Sequence, residues 1–156
     1  MRNHSSSDQD YEIWVLLHQV RDLIFRAREK ELRSSGITPM QAAVLFDIEA
    51  IGNEATVTEL SQWLLRKLHS VSGLLNRMEK EGLISRSKDS PSQNLARVTL
   101  TEKGRQAYYQ STQRASIHNA IRTLSQEERQ QLSSILKKMR DEGFQLVVGN
   151  LKPPFP

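Results

Sequence analysis

A mainly α-helical fold with a small β-wing is what this 156-residue sequence predicts, and three observations predict it. Apolar residues recur at spacings of three and four over most of the chain, the mark of amphipathic helices. Ser, Thr and Gly stand at the joints between these runs, where helix caps and stops belong. Between Leu83 and Leu100 the apolar residues change to alternation on either side of a polar turn, the mark of two paired strands.

The chain is long enough for one hydrophobic core and short for two, so residues 1–156 are expected to form a single domain. Twenty-two Lys and Arg against eighteen Asp and Glu leave a net charge of +4, which tilts the expected partner toward a polyanion. The absence of cysteine excludes disulfides, thiolate nucleophiles, Cys-type zinc sites and thiol redox sensing. No run approaches the roughly 18 apolar residues of a membrane span, and Met1-Arg2-Asn3-His4-Ser5 is polar where a signal peptide is apolar. A cytoplasmic protein without a membrane partner is therefore expected. Four scattered histidines, with no carboxylate pair, Ser-His arrangement or phosphate loop, point away from an enzyme. No catalytic residue, cofactor or metal site is expected; His18 with His118 is the weak metal alternative.

The residues through about Gln9 are polar and Ser-rich, which predicts a frayed tail. Ile13, Leu16, Leu17, Val20, Leu23, Ile24 and Ala27 form one stripe on a long helix from about Asp10 to Ser34, ended by Gly36. Thr38-Pro39-Met40-Gln41 is a strong helix start: Thr38 caps, Pro39 suits the first turn, and Gln41 completes a capping box. That helix runs to about Ala50, and Gly52 stops it. A short bridge at Thr56-Val57 leads to Thr58, the expected cap of a third helix bearing Leu60, Trp63, Leu64 and Leu65.

After the basic turn Arg66-Lys67-Leu68-His69, a helix from about Ser70 to Glu81 buries Val71, Leu74, Leu75 and Met78. Its other face shows Ser72, Gly73, Asn76, Arg77 and Lys80. Gly82 fits a left-handed stop. Extended segments Leu83–Lys88 and Ala96–Leu100 then flank the turn 89–94, giving a hairpin with an exposed tip. Thr101 caps a helix that continues through Tyr108 toward Ile121. Ser125 to Glu128 forms a capping box for a last helix with Leu132, Ile135, Leu136 and Met139 on one side, and the Pro-rich tail from Lys152 cannot be helical.

Helix, turn, helix and hairpin form a winged helix-turn-helix, in which one helix enters a major groove while the hairpin reaches adjacent backbone. Small residues at Ser70, Ser72 and Gly73 allow a close approach to phosphate, and Asn76 and Arg77 have the reach and chemistry for base edges. From Thr56 to Thr101 seven basic residues face four acids, so most of the excess positive charge lies here. The expected DNA-contacting set is Lys67, His69, Ser70, Ser72, Gly73, Asn76, Arg77, Arg86, Lys88, Gln93 and Arg97.

The segment from Ile37 to Gly104 resembles the multiple antibiotic resistance regulator (MarR) family, through ITPMQAAVLFDI, VTELSQWL, HSVSGLLNRMEKEGLISR and VTLTEKG in that order. The resemblance implies a lobe over 37–103 that binds double-stranded DNA, flanked by dimerisation helices over 10–36 and 104–148. The dimer face then falls on Ile13, Leu16, Leu17, Val20, Leu132, Ile135, Leu136 and Met139. A homodimer reads palindromic half-sites about one helical turn apart. The family usually has an Asp-Arg pair before the last wing strand, with the Arg in the minor groove; Ser92-Gln93-Asn94 stands here instead. Minor-groove contact then comes from Lys88, Arg97 or Gln93, or is lost. The resemblance also implies a pocket for a small aromatic effector near Trp14, His18, Arg21 and Met40. Repression is the expected outcome, and a winged-helix protein-interaction module without strong DNA binding is the alternative.

Overall fold

The computed structural model describes residues 4–52, 54–87 and 95–149. Helix α1 (His4–Leu32) runs into a short 3-10 turn (Arg33–Ser35), followed by α2 (Pro39–Ile51), β1 (Ala55–Thr56), α3 (Val57–Trp63) and α4 (Leu68–Lys80). Strands β2 (Ile84–Arg86) and β3 (Arg97–Leu100) precede α5 (Glu102–Ser111), α6 (Ala115–Ile121) and α7 (Gln126–Val148). The sheet is antiparallel in the order β1-β3-β2, with Ala55 opposite Val98 and Ile84 opposite Leu100. Mostly helical, with one small sheet, it has the fold class that the apolar periodicity dictates.

Local chemistry sets most boundaries. Capping boxes open α2 at Thr38/Gln41 and α7 at Ser125/Glu128. Helix α3 is capped by Thr56, not Thr58, because Thr56 has Glu59 three residues on: the Thr56 hydroxyl accepts from Glu59 N–H, and the Glu59 carboxylate accepts from Thr56 N–H. It ends at Trp63, short of Leu65. Helix α4 begins at Leu68, before Ser70, since the Lys67 carbonyl already accepts from the amides of Ser70 and Val71. Helix α1 starts at His4 and not near Asp10; with neither Gly nor Pro in that stretch, nothing stops the helix propagating backwards.

The expected continuous helix from Glu102 to Ile121 is two. Ser111 and Thr112 turn their hydroxyls onto the carbonyls of Tyr108 and Tyr109, competing with the helical ladder, and Arg114 adopts a left-handed φ of 51° before α6 begins. The bridge at Thr56 is a third strand, paired to β3.

The core lies between α2, α3, α4 and the sheet, with Val44, Leu45, Ile48, Leu60, Leu75 and Met78 wholly buried. Asp47 shares this interior at 8% exposure, and its Oδ2 is buried without a hydrogen-bond partner. Burial alone pushes its carboxyl up to about 7.

The start of α5 docks on the turn after α4. Gly82 turns the chain at φ 75°, Thr101 donates its hydroxyl to the Gly82 carbonyl at 2.6 Å, and Lys103 Nζ donates to Glu81 O at 2.7 Å. Gly104 lies so close that a Cβ there would stand 1.9 Å from the Leu83 carbonyl oxygen. At this joint backbone meets backbone.

The terminal helices differ. On α1, Ile13, Leu16 and Val20 are exposed and Leu17 is half-buried. On α7, Leu132, Ile135, Leu136 and Met139 are exposed, and Phe144 is its one buried residue. Two apolar stripes thus face solvent. Among the described residues no helix is long and apolar enough to cross a membrane.

Candidate functional site

Helix α4 is sharply two-sided. Val71, Leu75 and Met78 are 1% exposed or less and fix one face in the core. That anchoring leaves Lys67, His69, Ser70, Asn76 and Arg77 exposed, with Ser72 and Gly73 half-buried. A Cβ built at Gly73 would meet nothing within 4 Å, so the helix surface is open there.

The basic residues on the sheet are held differently. Arg86 on β2 is only 16% exposed at its side chain; it donates to Glu79 from Nε at 3.1 Å and from Nη2 at 2.7 Å, and Nη2 also donates to Asn76 Oδ1. Arg97 on β3 is 60% exposed at its side chain, and its guanidinium meets Glu54 through the Glu54 carbonyl at 3.2 Å and carboxylate at 3.8 Å. Lys88 and Gln93, with Ser92 and Asn94, lie outside the described residues.

A second feature is a cavity of about 590 Å³ where α1 crosses α2 and the α5–α6 junction. Ile24, Phe25, Pro39, Ala42, Phe46 and Ile117 give it apolar walls; Arg21, Arg28 and Arg114 give it positive charge. Arg21 is paired to Asp22 at 2.7 Å and lies over the Phe25 ring. Its hydrogen bond is the main cause of the lowered Asp22 pKa. Arg28 is paired to Glu31 at 2.8 Å and donates to the Ser111 carbonyl. Arg114 lies over the Phe46 ring with its guanidinium carbon 5.5 Å from the centroid, and no ion pair joins it to a carboxylate among the described residues.

Glu31 organises this junction. Its carboxylate accepts from the Ser116 hydroxyl, Arg28 and the backbone N–H of Ala115 and Ser116. Burial pulls the Glu31 pKa up, but these bonds together overcome it and bring the carboxyl down to about 2.

Of the four residues expected near an effector, Arg21 lines this cavity. Trp14 and His18 stack on each other with centroids 6.1 Å apart, farther toward the start of α1, and Trp14 is 63% exposed. Met40 lines a smaller cavity of about 220 Å³, with Ser70, Leu74, Arg66 and Arg77, beside α4. Phe25, Arg28, Phe46 and Arg114 escaped sequence reasoning. Arg28 had a signal, as it stands two turns beyond Arg21 on the same helix face; Arg114 had none. Among the described residues no group of three or more His, Asp or Glu could hold a metal ion.

Comparison with known proteins fits this geometry. Residues 35–93 match the model of the MarR family. The crystal structure of the organohalide-sensing transcriptional regulator RdhR, in its 2,4-dichlorophenol-bound form, is 28% identical with a TM-score of 0.85, over 100% of this chain and 95% of that one. A mutant MarR from Escherichia coli in complex with operator DNA shares the fold at a TM-score of 0.76 and 23% identity, over 86% of this chain and 98% of that one. The transcriptional activatory protein BadR of Rhodopseudomonas palustris is 26% identical over 98 residues, which are 62% of this chain. The match spans only 56% of that relative's length. The cored helix α4, the three-stranded sheet beside it and the matched segment 35–93 together make this lobe similar to the MarR family of transcriptional regulators.

Proposed function

We propose that this protein regulates transcription as a homodimer bound to a palindromic operator, and that a small aromatic acid or phenol releases it. The observation that carries the reading is α4 itself: three fully buried residues behind, and Ser70, Asn76 and Arg77 exposed in front. A helix so held presents its polar face to a major groove, with Lys67, His69 and Arg97 available to phosphate. The solvent-facing stripes of α1 and α7 supply the dimer contact, since exposed apolar area on this scale calls for a partner. Two copies then address half-sites about 34–36 Å apart. Repression by occupancy of promoter DNA is the outcome we propose.

The α1–α2 cavity supports the effector. Its walls are apolar and aromatic, and Arg114 is the cation there that no carboxylate neutralises among the described residues, so a flat anion fits it. That RdhR was crystallised with 2,4-dichlorophenol agrees with this chemistry. An effector that binds the DNA-incompetent spacing of the two lobes more tightly shifts the population off the operator.

Footprinting on the DNA upstream of the chain's own gene tests the proposal. Protection of an inverted repeat, lost in Asn76→Ala/Arg77→Ala and relieved by benzoate-like acids or chlorophenols, is expected. Binding without dependence on a palindrome, or none, would favour the protein-interaction reading.

A further inference from the structure

We propose that Arg86 is a positioning residue for base readout: it holds the Asn76 amide with its oxygen inward, so that Asn76 offers DNA its N–H donors. The inference rests on the DNA-binding reading above. Arg86 sits on β2 beside α4, and Asn76 and Glu79 stand one turn apart on the helix face toward it. Glu79 fixes the guanidinium through Nε and Nη2, and its other oxygen accepts from the Arg86 backbone N–H at 3.2 Å. So fixed, Nη2 donates to Asn76 Oδ1.

A guanidinium has donors only, so the amide edge that meets it must be the oxygen. Turning the amide over would set N–H against N–H. The bond is charge-assisted and fixes the amide plane, while Asn76 itself remains exposed on α4. Asparagine reads adenine by using both amide atoms at once, donating to N7 and accepting from N6–H. With Oδ1 drawn toward β2, that two-point contact is unavailable. The free donors instead match acceptor edges: guanine, which presents O6 and N7, or thymine O4. Arg86 therefore acts through Asn76, and its own charge is spent within the protein.

The test is selection from an operator library randomised in one half-site, using the full-length protein and three variants. Wild type should prefer guanine or thymine over adenine at one position, and Asn76→Ala should flatten that position alone. Arg86→Met frees the amide to turn and should move the preference there to adenine by roughly tenfold. Asn76→Asp keeps the acceptor for Arg86 but removes the donors; it should lose the guanine or thymine preference with an unchanged melting temperature, which keeps the test decisive if Arg86→Met folds poorly. A uniform loss of affinity in Arg86→Met with the wild-type base profile, or a wild-type profile in Asn76→Asp, would overturn the role of Arg86. Wild-type protein with no sequence preference anywhere would overturn the DNA-binding reading as well.

Discussion

Replacing Asp47 with Asn should make the protein more stable at neutral and alkaline pH, by an amount set by one buried oxygen. The Asp47 carboxyl is pushed up to about 7 from an ordinary value of 3.8, by burial and not by a neighbouring charge. At 1.36 kcal/mol per pKa unit, a rise of about three units corresponds to about 4 kcal/mol. The folded state binds this proton more tightly than the unfolded state, so stability falls as pH rises. The contribution is complete below 3.8, is lost progressively up to about 7, and is flat above that. Asn has nearly the same shape and no charge to desolvate, so Asp47→Asn should gain on wild type by about 3 to 4 kcal/mol between pH 4 and pH 8. Urea unfolding followed by circular dichroism across this range, at one fixed protein concentration, measures the difference between the two proteins and cancels the other titrating groups. Parallel stability curves would show that Asp47 is solvated or paired in solution, and would refute the reasoning.

Further substitutions probe other contacts. Gly104→Ala sets a Cβ 1.9 Å from the Leu83 carbonyl oxygen, against backbone that cannot rotate away, and should lower stability by about 3 kcal/mol in thermal melts. Gly73→Arg fills open helix surface; it should raise stability by up to about 1 kcal/mol and steepen the salt dependence of operator binding by about one unit. Glu31→Gln removes a carboxylate held down at about 2 from 4.5. It should cost up to about 3 kcal/mol at pH 7, a deficit present above 4.5 that closes as pH falls through about 2, read from acid unfolding curves. Ile135→Asp, at a residue 57% exposed in the single chain, should leave helix content intact and give a monomer in analytical ultracentrifugation.

How much of this was legible in the sequence depended on whether the signal was local. Helix α2 could be read end to end because Thr38, Pro39, Gln41 and Gly52 carry their own capping chemistry. The two-sided character of α4 followed from spacing alone. The break between α5 and α6 did not, because no Gly or Pro marks it; it is held by Glu31, which lies 84 residues before Ala115 and ties it to α1. The cavity was half legible for a related reason. Trp14, His18, Arg21, Phe25 and Arg28 follow one face of α1 at steps of three and four, and of the expected residues only Arg21 lines the cavity. His18 stands two turns before Phe25, roughly 10 Å along the axis, and the α1 residues that share the cavity with α2 run from Arg21 to Arg28. Arg86 stands in the expected DNA-contacting set because its partners, Asn76 and Glu79, are set by how β2 folds back on α4, which periodicity does not record.

The backbone joint at Gly104 and Leu83 has a mechanical consequence. A rod pinned at one end pivots about that pin. Helix α5 is such a rod: its first turn is pressed onto the turn that terminates α4, and its last residue, Ser111, belongs to the cavity wall. Its ten residues span about 15 Å. With backbone against backbone at the pinned end, displacement at the cavity reaches the end of α4 as a turn about that joint.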